Sequence, residues 1–460
     1  MEEGGGVTRV GEIIGKIGAQ IDGGLLKPGE RLLSVRAGAV EHGVSKNTMA
    51  EAYDRMVARG LLEAKQGSGY FVAAARSPAL DTRSTHVVDA VDLVSLLREQ
   101  LDQHYAVRVG DGRPPPSWMK KFELGSHLRG IKTPFAGEAG HGYGSPWGFG
   151  PLRERIALTL AERGVTVGAD QILLTQGANH ALDLVVRHLL EPGDTVLVDS
   201  PGYYPLFGKL KLAKVPFVGV RRLHDGPDLD DLAAKAAALK PKAFFTQSLA
   251  HNPTGGSISL PVAHRLLQLA DRHGFHVVED DPFADILPAS SPRLAALDQL
   301  DRVIHVGTFS KTLSASLRVG FIAAKPALAK TLCDLKMLTV VSTSDYVERV
   351  VHSLIVSGQY LRHLRGLKAH VAEATASVLP SLQSVGFETP VAPAGGYYVW
   401  GVLPPGTDEV ALVKAAAAES IFVAPGFVFA ADRRTERPAM RLNIACAGDP
   451  RFLDFIRRHL

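Results

Sequence analysis

Six short apolar runs punctuate the middle of the chain: Ile172 to Thr175, Thr195 to Val198, Ala243 to Thr246, His276 to Val278, Val303 to Val306 and Val319 to Ala323. Each is as long as a strand. Longer amphipathic stretches separate several of them. Strand-length and helix-length segments in alternation predict an α/β domain with a mostly parallel central sheet. In such sheets ligands sit at the carboxyl ends of the strands, so the residues that follow these runs are the candidates for chemistry. No internal repeat is visible.

The chain has 460 residues, which suggests about two or three domains. Its beginning has a different pattern. Val10, Ile13, Ile14, Ile17 and Ile21 recur at helical spacing, and Gly23-Gly24 ends that helix. Lys27-Pro28-Gly29 is a turn, and Ser34 can cap a second helix through about Glu41. Ser45 can cap a third, with Met49, Ala52, Tyr53, Met56 and Val57 on its buried face and Gly60 at its end. Leu61 to Ala64 and Tyr70 to Val72 read as two short strands around Lys65-Gln66-Gly67-Ser68-Gly69. Such a unit is too small for a large catalytic cleft. The expected organisation is this small unit over 7–74, a linker over 75–110 with a helix at 91–101, and a large domain over 111–460.

Segments Leu26 to Leu32, Ser34-Val35-Arg36, Gly43 to Thr48 and Gly67 to Val72 resemble the GntR-type winged helix-turn-helix. One departure is Leu33, where that family usually has proline. The residues support DNA binding independently. Ser45, Lys46, Asn47 and Thr48 form the first turn of the third helix, where a recognition helix meets base edges and phosphates. Arg36 lies early in helix two, a usual place for a backbone contact. Lys65 and Gly67 lie where the wing approaches the DNA backbone. Residues 1–76 carry 10 Lys/Arg against 9 Asp/Glu, so contact must come from local placement rather than bulk charge.

In the large domain, Thr308-Phe309-Ser310-Lys311 precedes Leu317-Arg318. A lysine after a strand, flanked by hydroxyls and followed by an arginine, suits a phosphate-bearing aldehyde. Gln176-Gly177-Ala178-Asn179 opens a helix after a strand, a phosphate-cradling arrangement. Tyr203, His251-Asn252-Pro253-Thr254-Gly255 and Glu279-Asp280-Asp281-Pro282 follow in order. Together these resemble the fold-type I aminotransferases, over roughly 110–457. The resemblance implies pyridoxal 5'-phosphate (PLP) in a Schiff base with Lys311. Asp280 would pair with the pyridine nitrogen, Asn252 would bond the phenolic oxygen, and Tyr203 would stack on the ring. Gly177, Ala178, Asn179, Thr308, Ser310 and Arg318 would hold phosphate. Tyr143 would reach the partner subunit's phosphate, and Arg441 would bind a substrate or effector carboxylate. Phe283 departs from the family, which usually has tyrosine there. That removes a donor to the phenolic oxygen and puts efficient transamination in doubt.

A winged helix ahead of such a domain resembles the MocR subfamily of regulators. The resemblance implies a homodimeric transcription regulator that binds operator DNA and senses an amine or amino-acid effector through an aldimine at Lys311. An active aminotransferase with a vestigial DNA-binding domain is the alternative. With two cysteines, Cys333 and Cys446, neither a disulfide framework nor a metal site is expected. No secretory signal or membrane span is apparent, which implies a cytoplasmic protein.

Overall fold

The computed structural model describes residues 9–22, 26–27, 29–58, 60–65, 68–73, 95–102, 104–119 and 142–460. The chain divides into two compact units, Met1–Ser84 and Thr85–Leu460.

The small unit follows its sequence pattern. Helices α1 (Arg9–Asp22), α2 (Val35–Glu41) and α3 (Lys46–Ala58) precede strands β1 (Leu62–Lys65) and β2 (Gly69–Val72). The strands pair antiparallel, from Leu62 opposite Val72 to Lys65 opposite Gly69. The stripe Val10, Ile13, Ile14 and Ile17 packs against Met49, Ala52, Tyr53 and Met56, so the helical period becomes a shared core. Ser34 and Ser45 cap their helices, accepting from Ala37 N at 3.2 Å and Thr48 N at 3.1 Å. The Tyr53 hydroxyl donates to the Leu33 carbonyl at 3.0 Å, which holds the turn where the family's proline is missing.

In the large unit, β3 (Val107–Arg108) comes first. Strands β4 (Ile172–Thr175), β5 (Val196–Ser200), β6 (Phe217–Leu223), β7 (Gly226–Pro227), β8 (Ala243–Thr246), β9 (His276–Asp281), β10 (Val303–Thr308) and β11 (Gly320–Ala323) then build the main sheet. Their spatial order is β4-β11-β10-β9-β8-β5-β6-β7. The inner ladders from β6 through β10 are parallel, whereas β11 runs antiparallel between β10 and β4. Val196 and Val198 point into one core and Leu197 into the other. Burial on both faces is why these strands read as unbroken apolar runs. The strands β12 (Tyr398–Val402), β13 (Ile421–Phe422), β14 (Ala424–Pro425) and β15 (Ala439–Asn443) follow, with β12, β15 and β14 forming a second sheet. Within the stretch read as linker, Ser95–Asp102 is helical with Leu96 buried in a core of the large unit, and β3 pairs with β13.

Met49 is fully buried beneath Gly38. Met49→Ala should destabilise the small unit by about 2–5 kcal/mol. Calorimetry should show an earlier transition for that unit, with the large unit's transition unmoved.

Candidate cofactor and effector site

The parallel strands end at one edge, and the sequence-predicted residues of the large unit other than Tyr143 gather along it. Thr308 lies opposite Gly320, and Gly320 opposite Thr175, so three strand ends meet. A Cβ at Gly320 would stand 2.7 Å from the Gly177 carbonyl carbon and 2.9 Å from Ala178 N, so only glycine lets β11 approach the start of helix Gly177–Leu189 this closely. Gly177 has φ +75° and lies against the Arg318 guanidinium. Arg318 donates to Ser310 Oγ at 3.2 Å and to Gln176 O at 2.9 Å. Its own backbone is left-handed, φ 52°, a costly conformation for a residue with a Cβ. Thr308 Oγ1 also bonds Ser310 Oγ, at 3.0 Å. Thr308 Oγ1 bonds the Val319 carbonyl as well, at 3.1 Å, so Ser310 is held between Thr308 and Arg318. A helix N-terminus, a guanidinium and a hydroxyl come together at these strand ends, a donor set that suits an anion. Asn179 is exposed on the first turn of the same helix.

Strand β9 ends in three consecutive carboxylates, all buried. Side chains alternate along a strand, so Glu279 and Asp281 share one face and Asp280 takes the other. Glu279 accepts from Leu294 N at 2.8 Å, Ala295 N at 2.9 Å and the Ser248 hydroxyl, and His305 Nδ1 lies 3.2 Å away. Burial raises its carboxyl, but His305 and these donors outweigh it and hold it below its ordinary value. Asp281 pairs with the buried Arg293 at 2.9 Å. Asp280 has one side-chain donor, Gln247 Nε2 at 2.6 Å, and its Oδ1 has no partner. Burial pushes its carboxyl up to about 6 against that donor.

Asn252 faces Arg441. Arg441 Nη1 donates to Asn252 Oδ1 at 3.1 Å, so the Asn252 Nδ2 end is the donor left over. Arg441 is almost fully buried, gives Nη2 to the Gly110 carbonyl at 2.6 Å, and stacks over Tyr398 and Phe429 at 4.9 and 5.1 Å. No carboxylate pairs with it among the described residues. Lys311 Nζ donates to the Gly112 carbonyl at 2.5 Å. The Tyr398 hydroxyl donates to the same oxygen at 3.0 Å, and the Tyr397 hydroxyl to the Lys311 carbonyl at 2.6 Å. Burial raises the Tyr203 phenol far above its ordinary value, with Asp280 adding to the effect, so it stays neutral. Phe283 is fully buried and lies edge-on to Tyr397 and Tyr398, at 5.1 and 5.5 Å.

Sequence reasoning missed Gly112, Tyr398 and Gln247. Gly112 contributes only a backbone carbonyl, which composition does not mark. Tyr143 stands apart from the cluster. It is 86% exposed on a loop packed against Thr343 to Arg349. In the small unit, Arg36, Ser45, Lys46, Asn47 and Lys65 are exposed and Thr48 is half-buried. Thr48 Oγ1 bonds Ser45 Oγ at 2.8 Å, so the cap occupies both hydroxyls. Lys65 Nζ sits 4.7 Å over the Phe71 ring. Gly67 lies outside the described residues. No cluster suited to a metal ion occurs among the described residues.

Residues 104–459 match the family described as aminotransferase class I and II. The chain belongs to that family. Residues 9–72 match the bacterial regulatory proteins of the gntR family, giving the chain the MocR-like architecture. The uncharacterized HTH-type transcriptional regulator YdcR of Escherichia coli is 28% identical over 91% of each chain. The 2-aminoadipate transaminase of Thermus thermophilus is 30% identical over 75% of this chain and 87% of its own. Among solved structures, the kynurenine aminotransferase of Pyrococcus horikoshii in complex with PMP superposes with a TM-score of 0.72 at 26% identity, covering 83% of this chain and 95% of that one.

The groups along the sheet edge fit PLP. The unpartnered Asp280 Oδ1 suits a ring nitrogen, the Asn252 amide a phenolic oxygen, and the Gly177–Arg318–Ser310 cradle a phosphate. In PLP-free protein, the raised carboxyl of Asp280 carries a pH signature. An ionised buried Asp280 costs stability above pH about 6, and that cost vanishes below its unfolded value of 3.8. Asp280→Asn should therefore raise the melting temperature of the PLP-free protein above about pH 6 and leave it nearly unchanged below about pH 4, as thermal melts across pH will show.

Proposed function

We propose that this chain is a PLP-dependent transcription regulator, in which an amine-bearing effector at Lys311 sets how the winged helix engages operator DNA. The observation that carries it is the joining, in one chain, of a gntR-family unit with an exposed recognition turn to a PLP cradle built around Lys311. YdcR, named a transcriptional regulator, matches the same two-part length.

Bound PLP supplies an aldehyde carbon that condenses with primary amines. Lys311 is the resident amine and shares the Gly112 carbonyl with Tyr398. With an effector amine in that place, Lys311 Nζ would be a free amine that the Gly112 carbonyl could hold. Arg441, desolvated and without a carboxylate partner, suits an effector carboxylate. Ala178 and Asn179 join the phosphate cradle at the helix start, Thr308 supports Ser310, and Tyr203 covers the ring. Only contacts that differ between two arrangements of the protein shift its equilibrium, so the effector acts through groups that Lys311 does not touch. Tyr143, exposed on its loop, completes the site of a second copy in a homodimer, and two winged helices then read two half-sites. A DNA-reading regulator of this type works in the cytoplasm. No described helix is long and apolar enough to cross a membrane.

Phe283 favours sensing over turnover. It offers no hydroxyl to the phenolic oxygen, and a hydrogen bond to a charged group there is worth about 1.5–3 kcal/mol. A sensor keeps its signal only while the effector persists.

The test is DNA binding by the PLP-loaded protein across a panel of amino acids and ω-amino acids. At least one should change operator affinity in wild type and none in Lys311→Ala. Equal responses in the two proteins would rule out sensing through Lys311. For the DNA contact itself, Lys46→Ala should weaken binding at all sequences and reduce the salt slope by about one. Affinity unchanged across salt concentrations would remove Lys46 from the interface.

A further inference from the structure

Gln247 lies one residue past the end of β8 and belongs to none of the sequence motifs, yet it touches both the Asp280 and the Asn252 side of the site. Its Oε1 accepts from the Asn252 backbone N–H at 2.8 Å, and its Nε2 donates to Asp280 Oδ2 at 2.6 Å. A backbone N–H can only donate, so the amide oxygen must face Asn252 and the amide nitrogen must face Asp280. That nitrogen in turn can only donate, so Asp280 Oδ2 must accept. Oδ1 remains for another partner.

We propose that Gln247 is a positioning residue for the cofactor: it holds Asp280 as a carboxylate with Oδ1 turned to the ring nitrogen, and ties it to the loop that carries the Asn252 amide. The inference rests on the reading of Asp280 as the ring-nitrogen partner.

The electrostatics require such a donor. Burial pushes the Asp280 carboxyl up and Asp281 pushes the same way, while His305 on β10 and Lys311 after it pull down. Glu279 lies on the opposite face of β9, and the neutral Tyr203 phenol lies on the side of β5. Of the side chains around Asp280, only Gln247 gives it a direct hydrogen bond among the described residues. Without that bond the carboxyl shifts further toward its protonated form, because burial and Asp281 then act against fewer favourable partners. A protonated Oδ1 donates to the ring nitrogen instead of accepting from it, and the ring loses its positive, electron-withdrawing form.

Gln247 is itself anchored. Its backbone N–H points to Asp199 Oδ2 at 3.3 Å, and that oxygen accepts from Thr246 Oγ1 at 2.8 Å and Arg222 Nη1 at 3.1 Å. Arg222 and Asp199 form a buried ion pair, with His251 Nε2 3.3 Å from the same oxygen. The position of the amide is therefore set from β5 and β6, two and three strands away from β9.

The experiment compares wild type, Gln247→Leu, Gln247→Glu and Asp280→Ala by PLP dissociation constant and by pH titration of the visible absorption of bound PLP. In Gln247→Leu the dissociation constant should rise about tenfold or more. The absorption midpoint should move up by about one pH unit, because a ring without its positive charge lets Lys311 Nζ hold its proton more tightly. Gln247→Glu should resemble wild type at acid pH, where its protonated oxygen still donates to Asp280. It should lose PLP as pH rises and two carboxylates face each other. A purely structural role would lower thermal stability and leave the midpoint in place. Gln247→Leu with a dissociation constant within about twofold of wild type and an unmoved midpoint overturns the proposal. If that variant does not fold, PLP binding by Gln247→Glu that is the same at acid and alkaline pH overturns it. If Asp280→Ala also leaves both readouts unchanged, the reading of Asp280 itself fails.

Discussion

Burying charge is costly unless each charged atom finds a partner, and this cost orders the carboxyl edge of the main sheet. Strand β9 brings Glu279, Asp280 and Asp281 into the interior in succession. The two on one face are served in full or by an ion pair: Glu279 by two backbone amides, Ser248 and His305, Asp281 by Arg293. Asp280, on the other face, receives one donor and keeps an oxygen unserved. Pleat alternation alone produces this division. Asp281 also keeps one oxygen without a partner, but it has a buried guanidinium beside it, which Asp280 lacks.

Arg441 repeats the logic with the opposite sign. A guanidinium this deeply buried would ordinarily meet a carboxylate. Here it meets the Gly110 carbonyl, the Asn252 amide oxygen and two aromatic faces, all neutral. Its charge is solvated without being cancelled, which keeps it able to attract an anion. The same contact turns the Asn252 amide so that its nitrogen is the free end. On the proposed reading, an effector carboxylate at Arg441 and the phenolic oxygen of PLP at Asn252 would be linked through this one hydrogen bond. Phe283 sharpens this dependence, because no tyrosine hydroxyl backs up Asn252 from that position.

Much of the architecture was legible in the sequence. Strands buried on both faces are apolar at successive positions, so the six runs announced β4, β5, β8, β9, β10 and β11, whereas the half-exposed β6, with Arg221 and Arg222, was not among them. The stripe from Val10 to Ile17 announced the first helix of the small unit, because only one face of it meets a core. The order of Lys311, Asp280, Asn252 and Gly177 along the strand ends was readable because chemistry at a strand end needs particular side chains there. Less legible were Gly112, whose contribution is a carbonyl, and Gln247, whose meaning depends on two residues it meets only in space.

Residue types at strand ends were therefore determined by the sequence alone, as were helical periods and caps such as Ser34 and Ser45, since each depends on neighbours within a few positions. Only the tertiary structure decided how the charges are shared out. It matched Arg293 to Asp281, left Asp280 Oδ1 and Arg441 open, and fixed the Gln247 amide between β8 and β9. The physical reason is that a buried charge is stabilised or left waiting by atoms far away in the chain, and their distances are set by the register of the sheet rather than by any local pattern.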